Sequence, residues 1–266
     1  MPTPKQFDVT PAVFISHGSP TVAIEHGPYQ DALAVFGRRV QPDAIVVISA
    51  HSSSSSAISI SGAERYRAVH DFGGFPRSLY ELTYSPPGSP ALAKRVLSLL
   101  DEQGWAAELS ADNGLDHGVW VPLRVMYPEG TIPVVPLSVP PHFNPQQLYQ
   151  LGQTLAPLRS ESVMVLGSGG IVHNLRMFRG GPPEQPVASW AKEFDDWFEL
   201  RLEEHDVASL LRYEALGPHS TLAVPTFDHF APVFPVLGAA AACSHVETIF
   251  EGFQYGFISM RSFAIT

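Results

Sequence analysis

The sequence predicts an α/β protein, a three-layer α/β/α sandwich around a largely parallel or mixed sheet. Short apolar runs rich in valine and isoleucine alternate with amphipathic helical patterns along the 266 residues. Hydrophobic residues make up 45% of the chain and charged residues only 16%, so there is enough apolar material for one extended core. No shift in composition marks a linker, and we expect residues 1–266 to form a single domain.

The elements are predicted in chain order from these patterns. Buried strands are predicted at residues 11–16, 44–49 and 162–167, because short β-branched runs are typical of a sheet covered on both faces. Helices are predicted at residues 28–40, 89–104, 145–158 and 187–205. Residues 131–139 predict a strand near the sheet edge, because Pro133 and Pro136 lack the donor that an interior ladder uses. Two more strands are predicted at residues 221–225 and 255–265.

Charge and cysteine content exclude several classes of function. The chain carries 26 acidic and 16 basic residues, a net charge of −10, which disfavours nucleic acid and anionic membrane surfaces as partners. Cys243 is the only cysteine, so an internal disulfide is impossible and a reducing compartment is indicated. The start, MPTPKQFDVT, lacks the apolar stretch of a secretory signal. We expect a cytoplasmic protein that acts on a small molecule. The sequence carries no signal of the oligomeric state.

Four of the eleven histidines follow apolar runs, directly or across a short turn: His17, His51, His173 and His229. His17 and His51 are separated by about the length of one strand–helix–strand unit. The strands of such a unit are parallel and about 4.8 Å apart, so residues leaving their carboxyl ends meet at one edge of the sheet. Ligands of open α/β sheets bind at this edge. One histidine at a strand end is usually an ordinary loop or core residue, but four in similar positions favour a metal site.

The chemistry of an all-imidazole site narrows the choice of metal ion. Imidazole suits zinc or ferrous iron rather than magnesium or calcium. The sequence contains neither a cysteine cluster nor an HExxH helix that would form a competing site.

Two further segments offer site residues, each with an alternative interpretation. Asp116 or Asn113 is placed to cap a helix that begins near His117. His117 is there either an acid–base or hydrogen-bonding group for an anionic substrate or oxygen species, or a histidine satisfied by its own loop. The aromatic-rich loop 70–84 is either a covering flap or the wall of an aromatic pocket, with Asp71 as its polar group and Phe72 beside it.

Seven segments in order resemble the LigB-like class III extradiol ring-opening dioxygenases, in their 4,5-DOPA dioxygenase-like branch. They are ISHGSP (15–20), ISAH (48–51), HDFGGFPRSLYELTYSPPGSP (70–90), LDHGVWVPL (115–123), GSGGIVHNL (167–175), PTFDHFAPV (225–233) and GFQYGFISMRSF (252–263). The resemblance covers nearly the whole chain. It implies one catalytic domain that opens the ring of a catechol-type, DOPA-like substrate with O2.

The resemblance also implies roles for single residues. His17, His51 and His229 match the metal ligands, and His173 matches either a fourth ligand or the base that deprotonates the substrate. His117 matches the histidine that assists at bound dioxygen or substrate, while Asp71 and Phe72 lie in the substrate-side loop. The implied cofactor for activity is Fe(II), with Zn(II) as the alternative bound metal. One departure is Ser52, which stands where the family usually places an aromatic residue after the second histidine.

Two other functions remain open on the sequence. A zinc hydrolase would use the same histidines to activate water, with Asp228 or Asp71 as its general base. A binding protein that keeps the fold without the chemistry is the other alternative, although such a protein would be expected to have lost at least one of the five histidines.

Overall fold

The computed structural model describes residues 9–243 and 245–266, and its centre is one mixed sheet. Within the described residues the sheet has eight strands, in the spatial order Ala107–Ser110, Ile58–Ser61, Val134–Val139, Ala44–Ser53, Val163–Gly169, Ala12–Ser16, Ser262–Ile265 and Val246–Phe250. The four strands from Val134–Val139 to Ala12–Ser16 are parallel to one another. Antiparallel pairs join Ile58–Ser61 to one side of these four and Ser262–Ile265 and Val246–Phe250 to the other, and Ala107–Ser110 pairs in parallel with Ile58–Ser61. The predicted fold class is confirmed.

Helices cover the two faces of this sheet. The longer ones are Pro28–Arg39, Pro90–Glu102, His117–Met126, Pro145–Leu155, Ser189–Glu203 and Val233–Ala239. Single α-turns occur at Arg77–Tyr80, Pro157–Ser160, Val207–Leu210, Tyr213–Leu216 and Ser220–Ala223, and 3-10 turns at Pro20–Ala23 and Leu175–Met177. Two-residue ladders pair Arg67–Ala68 with Gly114–Leu115 and Phe253–Gln254 with Ile258–Ser259.

Two adjacent residues of a central strand show why the fold has three layers. Ser168 contacts the carbonyl of Gly118 in the helix His117–Met126. A Cβ at Gly167 would lie 2.2 Å from the carbonyl oxygen of Pro232, directly before the helix Val233–Ala239. Because successive side chains of a strand point to opposite faces, these two helices lie on opposite sides of the sheet.

Local sequence explains where the predicted helices begin. The Oγ of Ser89 accepts a hydrogen bond from the backbone N–H of Leu92 at 3.2 Å, and a proline opens the first turn. Asn144 and Gln147 form a reciprocal capping box at the helix Pro145–Leu155. The apolar positions of both helices are buried: Pro90–Glu102 packs on the strands Ala107–Ser110 and Ile58–Ser61, and Pro145–Leu155 packs on the helix Val233–Ala239.

Two strand predictions are wrong. Residues 131–139 form an interior strand rather than an edge strand, because the antiparallel neighbour pairs only with Leu137 and Ser138, beyond both prolines. Residues 221–225 form no strand. Ser220–Ala223 is a helical turn. The carbonyl of Leu222 accepts a hydrogen bond from the Asn174 side chain, and that of Ala223 accepts one from the backbone N–H of His173, so neither pairs with a strand.

The final strand prediction is correct only in part. Residues 255–265 contain two separate strands, Ile258–Ser259 and Ser262–Ile265, and only the second joins the main sheet. Among the described residues, no helix combines the length and apolarity needed to cross a membrane.

Candidate metal centre

Three histidines converge at the carboxyl edge of the parallel strands. His17 directly follows the strand Ala12–Ser16, and His51 lies in the last part of the strand Ala44–Ser53, which is longer than predicted. His229 comes from the segment before the helix Val233–Ala239. One ring nitrogen from each of the three lies within 4.8 Å of the others, and Nε2 of His17 is 3.1 Å from Nε2 of His51.

An irregularity in the strand Ala44–Ser53 sets the direction of the His51 side chain. Ile48 pairs with Leu137 and Ser53 with Val139, so the register of the neighbouring strand shifts between these positions. Such bulges bend a strand and re-aim its side chains, and they are common beside active sites. The backbone N–H of His51 donates to Ser49 Oγ at 3.2 Å, and Ser49 Oγ in turn donates to Asp116 at 2.6 Å.

The buried Ser168 holds Nδ1 of His17, the ring nitrogen that does not face His51. Ser168 Oγ donates to the carbonyl of Gly118, so it must accept a hydrogen from Nδ1 of His17, 3.0 Å away. This arrangement selects the His17 tautomer whose Nε2 is unprotonated and faces the other histidines. A metal-binding histidine usually has this kind of outer partner.

His229 is held by its neighbour and by two glycines. Its Nδ1 lies 2.8 Å from the carboxylate of Asp228. Its carbonyl accepts a hydrogen bond from Gly170 N at 2.8 Å and lies so close to Gly169 that a Cβ there would approach within 2.1 Å. The glycines of GSGG therefore allow the His229 segment to pack directly on the strand end.

The electrostatics of the cluster favour neutral imidazoles. Burial and the neighbouring histidines lower the pKa of His17 well below its ordinary value, and His17 is only 2% exposed. Desolvation and the adjacent imidazoles lower the pKa of His51 to about 3, although its side chain is the more exposed of the two. Neutral imidazole is the form that binds a metal, so both rings are ready to act as ligands at neutral pH.

His117 borders the cluster at the start of its helix. Its ring centroid lies 4.0 Å from that of His51 and 5.4 Å from that of His17. Asp71 Oδ1 accepts hydrogen bonds from the backbone N–H of His117 at 2.9 Å and from Nδ1 at 3.0 Å. Burial opposes ionisation of Asp71, but the hydrogen bonds from His117 outweigh it and hold the pKa of this carboxyl below its usual value. Asp71 therefore fixes the orientation of His117.

His51, Asp71 and His117 form a second group whose potential ligand atoms lie within 4.8 Å. The first group is the better metal cradle, because Ser168 and Asp228 hold Nδ1 of His17 and Nδ1 of His229, while the Nε2 atoms of His17 and His51 face each other. In the second group, the Asp71 oxygen is already bonded to His117.

His173 lies beside the three-histidine group and is not a member of it. Its ring is stacked on His229, with centroids 3.6 Å apart and planes within 6°. Burial and His229 lower the pKa of His173 to about 3, so its ring is neutral at pH 7.

Aromatic residues of the loop 70–84 form one wall beside the cluster. Phe72 packs edge-on against His117 at 5.6 Å, and it also contacts Phe75 and Tyr80. The loop thus packs over the site through its aromatic side chains. Asp71 contacts His117 through its Oδ1 atom, and its role in binding substrate stays a prediction.

The supporting residues Ser49 and Ser168 were missed by sequence reasoning. Each lies inside a buried strand and has no motif of its own; only its position near a strand end gave a signal. Asp228 was considered as a hydrolytic base, but its hydrogen bond with His229 holds the pKa of its carboxyl well below the usual value. Both hydrolase candidates, Asp71 and Asp228, are therefore committed to orienting histidines.

Comparisons with known proteins show which proteins this chain resembles. The model of the family described as "Catalytic LigB subunit of aromatic ring-opening dioxygenase" matches residues 11–264. The chain is 40% identical over 259 residues to a 4,5-DOPA dioxygenase extradiol of Beta vulgaris, covering 95% of each chain. It is 35% identical to the Escherichia coli K12 protein of the same name, covering 96% of this chain and 94% of the relative. A crystal structure of an uncharacterized Escherichia coli K12 protein superimposes with a TM-score of 0.80 at 32% identity, covering 97% of this chain and 100% of the other.

Proposed function

Because the chain belongs to the LigB family of aromatic ring-opening dioxygenases, we propose that it opens a DOPA-like catechol at a metal held by His17, His51 and His229. The observation that carries the proposal is the convergence of three ring nitrogens within 4.8 Å. Ser168 and Asp228 contact the Nδ1 atoms of His17 and His229. The curated relatives at 35–40% identity are named for extradiol cleavage of 4,5-DOPA, which supports a DOPA-like substrate.

The donor set fits a borderline metal ion. Nitrogen ligands about 2.0–2.1 Å from one ion are separated by about 3 Å, and the two inner nitrogens of His17 and His51 are 3.1 Å apart. We propose Fe(II) as the active metal, because imidazole binds both iron and zinc but zinc has no redox chemistry. A bound Fe(II) would supply the electron transfer that allows an aromatic diol to react with O2.

The remaining histidines have roles as proton carriers. A catechol must lose protons as its two oxygens bind a metal, and we assign His173 to accept one, because its ring is stacked on His229 beside the three-histidine group. We assign His117 to proton transfer at oxygen, because its Nδ1–H donates to Asp71 and Nε2 is then the nitrogen that can take up a proton and pass it on. Phe72 provides an apolar edge against which an aromatic ring can pack.

The balance of the reaction is simple. One carbon–carbon bond beside the diol breaks, and both atoms of O2 enter the product. One becomes part of a carboxylic acid and the other part of an aldehyde, so no further reductant is consumed.

The single cysteine, which is free, and the acidic net charge are consistent with our proposal of a cytoplasmic location.

Anaerobic reconstitution tests the proposal. Apoprotein is loaded with Fe(II) or with Zn(II), mixed with DOPA, and exposed to air. We expect oxygen uptake and a yellow semialdehyde chromophore with iron and neither with zinc. A protein that consumes no oxygen with any of a panel of catechols, at full iron occupancy, would contradict the proposal.

A further inference from the structure

A polar cavity opens beside His51 on the side of the strands Ile58–Ser61 and Ala107–Ser110. Its volume is about 460 Å³, and its lining includes His51 itself, Asp116 and Val119, which connect it to the metal centre. We call it the serine cavity, because eight serines line it: Ser52 to Ser55, Ser59, Ser61, Ser110 and Ser138.

The sheet itself creates this polar surface. Ser59 and Ser61 are two residues apart on one strand, so they project to the same face. Ser59 is paired with Ser138 on the next strand, and Ser138 contacts Ser52 beyond it. Serines at these neighbouring positions leave space that larger side chains would fill. The row leads from His51 across the sheet.

The charged residues that line the cavity are all acidic. Glu108, Asp112 and Asp116 line it, and among the described residues no lysine or arginine does so. Arg67, on the adjoining two-residue strand, is directed to Asn113, where its guanidinium contacts the side-chain oxygen at 3.4 Å. The hydroxyl of Ser54 is buried at this surface and has no hydrogen-bond partner. The lining thus offers hydroxyl and carboxylate oxygens to a ligand and offers it no cation.

We propose that the serine cavity receives the substituent of a catechol bound at the metal centre, and that it selects a substituent carrying an ammonium group over one carrying only a carboxylate. The inference rests on the proposed function, because the catechol is held by its two oxygens beside His51 and only its substituent is left to enter the cavity. An ammonium group can donate to hydroxyl and carboxylate oxygens, whereas a carboxylate finds like charge and no cationic partner.

Three ligands with the same ring and different substituents test the charge preference. Dopamine carries an ammonium group, 3,4-dihydroxyphenylacetate carries a carboxylate, and 4-methylcatechol carries no charge. Dissociation constants are measured by calorimetry on Zn(II)-loaded protein, which binds catechols without consuming them. We expect dopamine to bind about tenfold more tightly than 3,4-dihydroxyphenylacetate, with 4-methylcatechol between them. DOPA, which carries both charges, should bind between dopamine and the acid.

Paired neutral variants test which residues cause the preference. The double variant Glu108→Gln/Asp112→Asn removes two carboxylates of the cavity while keeping their shape, and Glu108→Gln alone serves if the double variant does not fold. The matched control is Asp101→Asn/Glu102→Gln, two exposed residues at the end of the helix Pro90–Glu102. We expect the preference for dopamine to fall several-fold in the cavity variant and to be unchanged in the control.

The outcomes separate this inference from the proposed function. Equal binding of dopamine and 3,4-dihydroxyphenylacetate, or a preference unaffected by the cavity variants, would overturn the inference even if the Fe(II) enzyme cleaves both catechols. A clear preference for dopamine without any turnover by the Fe(II)-loaded protein would leave the cavity assignment supported and overturn the dioxygenase proposal.

Discussion

The imidazole rings of His173 and His229 are stacked in parallel, 3.6 Å between centroids. His229 belongs to the three-histidine group, and His173 stands outside it. The stacking places a neutral imidazole next to a member of the proposed metal site. In the proposed mechanism His229 binds the metal and His173 accepts a proton, and their contact brings both roles to one centre.

The variant His173→Phe keeps a flat ring for this stacking and removes the base. We expect it to bind metal as the wild type does and to lose about 100- to 10,000-fold in kcat, the usual contribution of general acid–base catalysis. His51→Ala should instead lose bound metal while its circular dichroism stays native. Metal analysis and steady-state rates on both variants make the comparison, and loss of metal from His173→Phe would show that His173 is a ligand.

Removal of the hydroxyl that orients His17 should weaken metal binding. In Ser168→Ala, Nδ1 of His17 loses its partner at 3.0 Å, and the ring is no longer held in one tautomer. We expect the metal affinity to fall about 10- to 100-fold, the usual effect of losing an outer partner of a metal-binding histidine. The measurement is a chelator competition titration.

Ser16→Ala is the matched control for that experiment. Ser16 lies at the end of the adjacent strand and is buried, but its hydroxyl has no hydrogen-bond partner. Its removal should leave metal affinity unchanged. If both serine variants lose affinity equally, the hydrogen bond from His17 to Ser168 is not the cause.

Asp71→Asn tests whether Asp71 acts through His117. The amide oxygen can still accept one hydrogen bond from His117, but it lacks the charge that favours the pair. We expect kcat to fall about tenfold or more, with KM for the catechol changed less and metal content unchanged. Asp101→Asn, on an exposed helix end, is the control. A variant with a raised KM and a normal kcat would indicate that Asp71 binds substrate directly.

The apoprotein should lose stability when the pH falls below about 6.5. The pKa values of His51 and His173 are lowered from 6.5 to about 3 in the folded state, so between these values the unfolded chain binds protons that the folded chain does not. The stabilisation is therefore complete above pH 6.5 and is lost progressively toward pH 3. Urea unfolding of metal-free protein across this range measures the loss. His173→Gln should show a shallower dependence on pH, and an identical slope would contradict the shifted pKa.

The sequence predicts the histidines of the proposed metal site better than the residues that orient them. His17 and His51 could be placed at one edge in advance because strand–helix–strand geometry brings parallel strand ends to the same edge. Their strands are not direct neighbours as expected, because Val163–Gly169 lies between them. The motifs identified the family and its ring-opening activity, which the comparisons confirm. His229 was predicted to follow a strand at 221–225, yet it comes from irregular chain held by Gly169 and Gly170.

The contacts that orient the histidines were beyond prediction for a physical reason. Asp71 reaches His117 across 46 positions of the chain, and Ser168 reaches His17 across 151. Such pairings are set by sheet order and loop packing, which no local pattern encodes. The prediction that Pro133 and Pro136 mark an edge strand failed similarly, because it depends on where the neighbouring strand ends.

The mass of the product decides whether the protein opens the ring of DOPA. Fe(II)-loaded protein is mixed with DOPA under air, and the product is analysed by mass spectrometry alongside oxygen consumption. We predict one O2 consumed per DOPA and a product with the mass of DOPA plus both oxygen atoms, or that mass less one water after the amine closes on the aldehyde. A product that has only lost two hydrogens, as a quinone has, or no reaction at full iron occupancy, would contradict it.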